Sequence, residues 1–215
     1  MRAVVSAIAI ASLAGCASIP KGSEVVALGL ADLRAATICC PTLATAAHSP
    51  LPLQKTKVQL DKTQQAFSFG GTKAFFVLYE LPAYKQTYSL TVNSVPQGTV
   101  GDISLVVPRL AFYDADFKLT RLFDEKTLRH RGNSVERTVY LNPQDAAEKY
   151  VAIFASDLSA SIERAYSEVV VNTVAAGPMM FNIYSGRDGK STLRSSPIGG
   201  LDIETQGLAA PVAAK

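Results

Sequence analysis

From Ala66 to Gln206 the chain alternates short apolar runs with turn-forming residues. The runs are rich in Val, Ile, Phe, Tyr and Thr and are closed by Pro, Gly, Asn or Asp, a pattern typical of β-strands separated by turns. Strands and helices do not alternate along this sequence, so we predict an all-β domain over residues 66–206, an antiparallel β-sandwich of jelly-roll type. The predicted strands are Gln65–Phe69, Ala74–Leu81, Thr87–Ser94, Ile103–Tyr113, Leu119–Phe123, Val135–Leu141, Tyr150–Ala155, Glu168–Asn172 and Met179–Tyr184.

Four short segments predict where this domain turns or is most deeply buried. Phe75–Tyr79 is apolar at every position, as in a central strand that is covered on both faces. Gly70-Gly71 between two apolar runs predicts a hairpin turn. Pro108 predicts a bend or a sheet edge within its run. Asp114-Ala115-Asp116 lacks the Gly and the distal Glu of a calcium-binding EF-hand loop, so it predicts a turn.

Residues 16–65 have a different composition, with many Ala and Thr residues and few aromatic ones. We interpret this segment as a tether that contains one short helix, from Glu24 to about Ala36, capped by Ser23. The Ala-rich tail over residues 207–215 is expected to be disordered. Proline and glycine interrupt the tether at Pro20, Gly22, Pro41, Pro50 and Pro52.

The first fifteen residues have the composition of an export signal. Arg2 gives an early positive charge, Ala3–Leu13 is almost entirely apolar, and small residues follow. The apolar run is too short to cross a bilayer of roughly 30 Å as a helix. We therefore predict that residues 1–15 are a signal peptide that is removed during export.

The end of this signal, Leu13-Ala14-Gly15-Cys16, resembles the lipobox of bacterial lipoproteins. The resemblance implies cleavage before Cys16 and attachment of diacylglycerol to its thiol, with a further acyl chain on the new amino terminus. Since stable anchoring needs more than one acyl chain, such a modification would hold the protein on a membrane. Ala17, rather than Asp, follows the cysteine, which by the same resemblance implies the periplasmic face of the outer membrane. The alternative is an ordinary signal peptide, cut nearby, in which Cys16 is incidental.

Size and charge narrow the class of protein further. A chain of 215 residues with 48% hydrophobic residues is long enough to bury one sizeable core. The formal net charge is only +3, and the basic residues are interleaved with acidic ones. No basic stripe of the kind that follows a phosphate backbone is present in the sequence, so nucleic-acid binding is not expected.

The sequence offers little catalytic or metal-binding chemistry. The two histidines, His48 and His130, are isolated from other potential ligands, and His130 is flanked by Arg129 and Arg131. No G-x-S-x-G motif is present in the sequence. We therefore expect no enzyme activity, no cofactor and no metal, although the fold could still bring the carboxylates of Asp102, Asp114, Asp116 and Asp124 together around an ion.

Cys39 and Cys40 are adjacent in the sequence. In an oxidising compartment they are candidates for a vicinal disulfide. The Cα atoms of neighbouring residues are about 3.8 Å apart, below the usual range for disulfides. The alternatives are a reduced pair that shapes a turn before Pro41, and a bond to a thiol of another subunit.

Aromatic residues are candidates for contact with sugars. Tyr84, Tyr88, Tyr113 and Tyr166 would be able to stack on a sugar ring if exposed, with burial in the core as the alternative.

Three segments together, Phe67–Phe76, Tyr79–Tyr84 and Val107–Phe117, resemble the maltose-operon periplasmic protein (MalM-like) family, including lipoprotein members with paired cysteines before the same core. The resemblance covers roughly Cys39 to Ile203. It implies a periplasmic all-β protein that is linked to carbohydrate uptake, and it brings no catalytic residues.

The sequence thus favours a lipid-anchored binding or accessory protein, whose partner is a carbohydrate or an envelope transport protein. The second hypothesis is a structural envelope lipoprotein that scaffolds protein or peptidoglycan contacts. An enzyme that uses His130 comes third.

Overall fold

The computed structural model describes residues 19–155 and 160–208, so the predicted signal peptide, Cys16 and residues 209–215 lie outside the described part. The described helices include none that is both long and apolar enough to cross a membrane. The described residues contain one α-helix, α1 (Gly22–Ala35), and short 3-10 turns at Leu43–Thr45, Glu125–Thr127 and Pro143–Asp145. The strands are β1 (Ser49–Pro50), β2 (Thr56–Leu60), β3 (Gln65–Phe69), β4 (Thr72–Glu80), β5 (Tyr88–Val95), β6 (Gln97–Thr99), β7 (Asp102–Leu105), β8 (Pro108–Tyr113), β9 (Leu119–Phe123), β10 (Arg129–Arg131), β11 (Ser134–Leu141), β12 (Tyr150–Ala155), β13 (Ser161–Ala176), β14 (Met179–Ser195) and β15 (Gly199–Gln206).

Two of the three sheets form a β-sandwich. The front sheet has the order β1-β4-β12-β8-β9, with β3 also paired to β4, and the back sheet has the order β10-β11-β5-β15-β2. Their facing side chains form the largest core cluster, which includes Leu90, Val92, Phe112, Ile153 and Leu201. The predicted all-β, sandwich-like fold is confirmed. Most strand pairs are antiparallel, whereas β1–β4 and β14–β7 are parallel.

Strict alternation along the strands produces this core. In β15, Leu201 and Ile203 are fully buried, whereas Asp202 and Glu204 between them are partly exposed. Side chains alternate between the two faces of a strand, so all the apolar residues of β15 point to one face. Burying each such side chain contributes about 1.5–3 kcal/mol. A shift of one residue in register would place these side chains in water.

Strand β4 is covered on both faces, as its uninterrupted apolar run predicts. Val77 and Tyr79 face the core between the sheets, and Phe76 and Leu78 belong to a second cluster on the outer face of the front sheet. The segment that contains Leu43 covers this outer face. The front sheet is therefore the middle layer of the molecule.

The turns follow the predictions closely. Gly70 and Gly71 have φ values of 58° and 89° and connect Phe69 to Thr72 in a hairpin, where residues with side chains would be strained. Pro108 is the first residue of β8 in the front sheet, just after the chain has left β7 in the third sheet. The Asp114 carboxylate accepts hydrogen bonds from the backbone of Asp116 and Lys118 in the turn between β8 and β9.

The third sheet, of order β13-β14-β7-β6, contains a long hairpin. Strands β13 and β14 pair from Ser161↔Arg194 to Ala176↔Met179, and only Thr192–Ser195 of β14 also pairs with β7. The predicted strands Glu168–Asn172 and Met179–Tyr184 are the distal parts of this hairpin. We call the pair β13–β14 the arm. Both predicted strands are too short: residues 161–167 and 185–195 are rich in polar and charged residues, and residues 173–176 are rich in small ones, so their strand pattern is weak.

Helix α1 begins at Gly22, two residues before the predicted start, and Lys21 rather than Ser23 is its N-cap. The Ser23 hydroxyl instead donates a hydrogen bond of 2.5 Å to the Asp102 carboxylate, which also accepts from Arg194 at 2.9 Å. The bond from Ser23, and then that from Arg194, lower the pKa of Asp102. Gly22 and Gly98 allow this contact, since a Cβ on Gly98 would lie 2.3 Å from the Asp102 carbonyl oxygen. The start of the helix is thus bonded, through Asp102, to Arg194 in the part of the arm that pairs with β7.

The tether predicted for residues 16–65 contains more ordered structure than the helix. Strand β2 pairs with β15 in the back sheet, and Ile38 forms a bridge to Ala66. The Thr-Lys-Val-Gln-Leu alternation of β2 is a strand pattern, but the prolines just before it favoured an irregular segment. The ordered body therefore starts well before residue 66. At the other end, Leu208, placed in the predicted tail, packs against the main core.

Candidate ligand groove

A groove of about 690 Å³ lies on the outer face of the front sheet. Volumes of about 300–1,000 Å³ are typical of small-molecule sites. The floor of the groove is formed by β3, β12 and β8, and its walls by the segment 41–44 and the turn after β8. Five aromatic side chains, a few hydroxyl groups and two charged side chains line it. The aromatic ones are Phe67, Phe69, Tyr113, Phe117 and Phe154.

The floor follows from the alternation of three strands. Phe67 and Phe69 are two residues apart in β3 and point to the same face. The ring of Phe69 stacks on that of Phe154 in β12, with centroids 3.9 Å apart and planes inclined by 4°. Ala111 in β8 contributes only a methyl group to the lining, so the floor is recessed beside this stack.

The walls are held by main-chain and aromatic contacts. On one side, the amide of Cys39 donates to the Ala66 carbonyl, and Leu43 is buried against the sheet. On the other side, Phe117 has a φ of 58°, a conformation that is uncommon for a residue with a side chain. Its ring stacks on Tyr150 with centroids 4.2 Å apart. Both walls are therefore fixed to the same sheet as the floor.

Charged groups lie at the ends of the groove. The Arg109 guanidinium donates to the Glu125 carboxylate, with the closest N–O distance 2.7 Å. These hydrogen bonds lower the pKa of Glu125, so at neutral pH it is ionised and orients the guanidinium. Asp116 is exposed at the opposite wall. The site thus combines an aromatic floor with one cation and one anion.

Three of the four tyrosines that were candidates for stacking on a sugar are too buried for that contact. Tyr88 and Tyr113 are buried, and Tyr84 is half-buried and packs against the main core. Burial raises the pKa of Tyr113 to about 12, so its hydroxyl stays protonated at neutral pH. Tyr113 lines the groove although it is only 8% exposed, and the side chain of Tyr166 lies outside the described part of the structure. The phenylalanines, not the tyrosines, supply the aromatic surface.

The two histidines lie on different sheets. The His48 ring packs edge-on against Tyr150 beside the front sheet, and Nδ1 of His130 lies 3.2 Å from an Arg164 nitrogen at the edge of the back sheet. Of the four aspartates considered for an ion, three are engaged separately, since Asp102 binds Ser23 and Arg194 while Asp114 and Asp124 cap turns. The fourth, Asp116, is exposed on the wall of the groove. Within residues 19–155 and 160–208 there is no group of three His, Cys, Asp or Glu side chains able to hold a metal ion.

Cys39 and Cys40 precede the first wall of the groove. The sulfur atoms of the two residues are in contact, and Cys40 is buried in the cluster that also contains Leu43 and Phe76. The vicinal disulfide stays a prediction, with a placement that allows it.

Comparison with protein-family models, with curated proteins and with solved structures finds no match for this chain. The groove itself was not predicted from the sequence, because its lining comes from four separated segments. The one local signal is the Phe-Ser-Phe spacing of Phe67 and Phe69, which places two rings on the same face of a strand.

Proposed function

We propose that this protein is an exported, lipid-anchored envelope protein that binds a carbohydrate in the groove of its front sheet and assists carbohydrate transport. The groove is the observation that supports this function most directly. A sugar ring has apolar C–H faces and a rim of hydroxyl groups. It therefore matches a site with a flat aromatic floor and a few polar groups at its edges.

The arrangement of polar groups favours a sugar over a purely apolar ligand. Arg109 is held by Glu125 at one end, and the exposed Asp116 lies on the wall. Thr72, which pairs with Phe69 and so shares its face, also lines the groove and has a hydroxyl group. These groups can donate to and accept from sugar hydroxyls, whereas burying them against an apolar ligand would leave them without partners.

The predicted binding can be tested with maltooligosaccharides as probes. We expect them to raise the melting temperature of the full chain and to give a measurable heat of binding. Removing the ring of Phe117 takes away one wall of the groove, so Phe117→Ala is expected to weaken binding about tenfold or more, a loss of at least ~1.4 kcal/mol. Titration calorimetry of the two proteins measures the difference.

Tyr140→Ala is the matched control, since Tyr140 is an exposed aromatic residue of the back sheet, away from the groove. It should bind as the unchanged protein does. If no maltooligosaccharide changes the melting temperature and no envelope transport protein co-purifies, the carbohydrate proposal is wrong. Binding to peptidoglycan fragments alone would favour the scaffold hypothesis.

The predicted lipid anchor is tested separately from the groove. The protein extracted from membranes should have a mass that starts at Cys16 and includes three acyl chains. A Cys16→Ser variant should lack these chains, because serine has no thiol to take the diacylglycerol. An unmodified thiol at Cys16 in the wild-type protein would remove the anchor from the proposal, while the groove experiment would remain valid.

A further inference from the structure

The distal part of the arm is an uncharged and exposed hairpin. The 18 residues Val169–Gly186 include no Asp, Glu, Lys, Arg or His, and Glu168 and Arg187 flank them at paired positions. We call this segment the uncharged tip. Among its side chains, Met180 is 79% exposed, Tyr184 69% and Phe181 49%. An apolar surface of this kind on a soluble body marks a site of interaction.

Both faces of the uncharged tip are apolar. Directly paired residues share a face, so Val171 and Tyr184 lie on one face with Met180, and Val174 and Phe181 lie on the other. A protein partner would cover one face and leave the other in water. A lipid phase surrounds the hairpin and covers both.

The arm extends from the same end of the molecule as the start of helix α1. Strand β14 runs from the tip to Thr192, which pairs with Asp102, and then on towards Ile198. Helix α1 runs the same way, since Ser23 binds Asp102 and Gly29 packs against Ile198. The first residue of the helix therefore lies on the side of the body from which the tip extends.

The chain from Cys16 to Ser23 and the arm from Thr192 to its tip are both long enough to reach the same membrane. The seven residues from Cys16 to Ser23 span at most about 25 Å. From Thr192 the arm extends over thirteen residues to Met179, about 43 Å at ~3.3 Å per residue. Arg187, where the charges end, is about 17 Å along the arm. A membrane that holds Cys16 is therefore within reach of the uncharged tip, while the charged part of the arm, from Arg187 to Thr192, stays outside the lipid.

We propose that the uncharged tip inserts into the surface of the lipid bilayer, as a second membrane contact beside the anchor. This inference takes the lipid anchor on Cys16 from the proposed function. The exposed apolar side chains of the arm are observed independently of it. In the described chain β13 pairs only with β14, so the hairpin has open edges whose backbone groups need water or lipid headgroups. Insertion is consequently shallow, about 5–10 Å into the interface.

Tryptophan fluorescence tests this directly, because the chain contains no Trp. In a Cys16→Ser background, which removes any lipid anchor, Phe181→Trp places a single reporter in the tip. On addition of vesicles of phosphatidylethanolamine and phosphatidylglycerol, its emission should shift to shorter wavelength and be quenched by brominated acyl chains. Tyr140→Trp, exposed on the back sheet, should show neither change.

Flotation with the same vesicles gives a second readout. Adding Met180→Asp to the Cys16→Ser chain should lower the floating fraction about tenfold, whereas Tyr140→Asp should leave it unchanged. Absence of both the Phe181→Trp shift and flotation would overturn the proposal, whatever the fate of the anchor and the groove. A shift that instead appears without vesicles, together with dimers in sedimentation, would assign the tip to a second copy of the chain and also overturn it.

Discussion

Arg121→Met is expected to destabilise the protein by about 3–5 kcal/mol, because it leaves two buried carboxylates without their cation. The Arg121 guanidinium binds Glu148 through two nitrogens, at 2.8 and 2.7 Å, and lies 3.3 Å from Asp145. The side chains of Glu148 and Asp145 are only 3% and 8% exposed. The guanidinium also donates to the Tyr140 carbonyl and so connects β9 of the front sheet to β11 of the back sheet.

Urea unfolding of Arg121→Met measures this loss. The matched control is Arg109→Met, which breaks an ion pair on the same sheet whose side chains are 30% and 36% exposed, and which should cost no more than about 1 kcal/mol. Adding Glu148→Leu to Arg121→Met should restore part of the stability. Equal losses in Arg121→Met and Arg109→Met would show that the Arg121 network does not stabilise the fold.

Phe76→Ala is expected to cost about 3–5 kcal/mol and also to weaken binding in the groove. Phe76 is fully buried on the outer face of β4. Its ring contacts those of Phe67 and Phe69 edge-on, with centroids 6.1 and 5.5 Å away. Removing it leaves a cavity under the floor, so Phe69 would lose the contact that holds it against Phe154.

Phe181→Ala is the control for the same chemical change, since its ring is exposed on the arm, and it should alter the free energy of unfolding by less than about 0.5 kcal/mol. Chemical denaturation and sugar titration on both variants separate the two effects. A Phe76→Ala protein that is as stable as Phe181→Ala would contradict the assignment of Phe76 to the layer beneath the groove.

The strands that could be predicted are those with local signals of burial. Gln65–Phe69, Leu119–Phe123 and Tyr150–Ala155 occur with the predicted bounds, because turn residues close each of them. Strand β15 was missed although Leu201-Asp202-Ile203-Glu204 alternates, because the strand begins with two glycines, Gly199 and Gly200. Both it and β2 are stabilised by pairing with strands distant in sequence, and local patterns contain little information on such partners.

Contacts between distant segments also explain the errors in side-chain roles. Serine is a residue type that favours the N-cap position, but the hydroxyl of Ser23 donates instead to the carboxylate of Asp102, 79 residues away in the sequence. Tyr88 and Tyr113 were candidates for ligand contact, and only the packing of the two sheets decides that they are buried. The groove is missed for the same reason, since its walls meet across segments that have no common sequence pattern.

Strand β15 lies inside the back sheet, between β5 and β2. It joins two strands that are more than a hundred residues earlier in the sequence, Gly200 with Val95 and Gly199 with Leu60. Contacts over such long sequence distances form slowly, so we expect the back sheet to close late in folding. Until β15 is in place, the apolar side chains of β2 and β5 that face the core stay exposed to water.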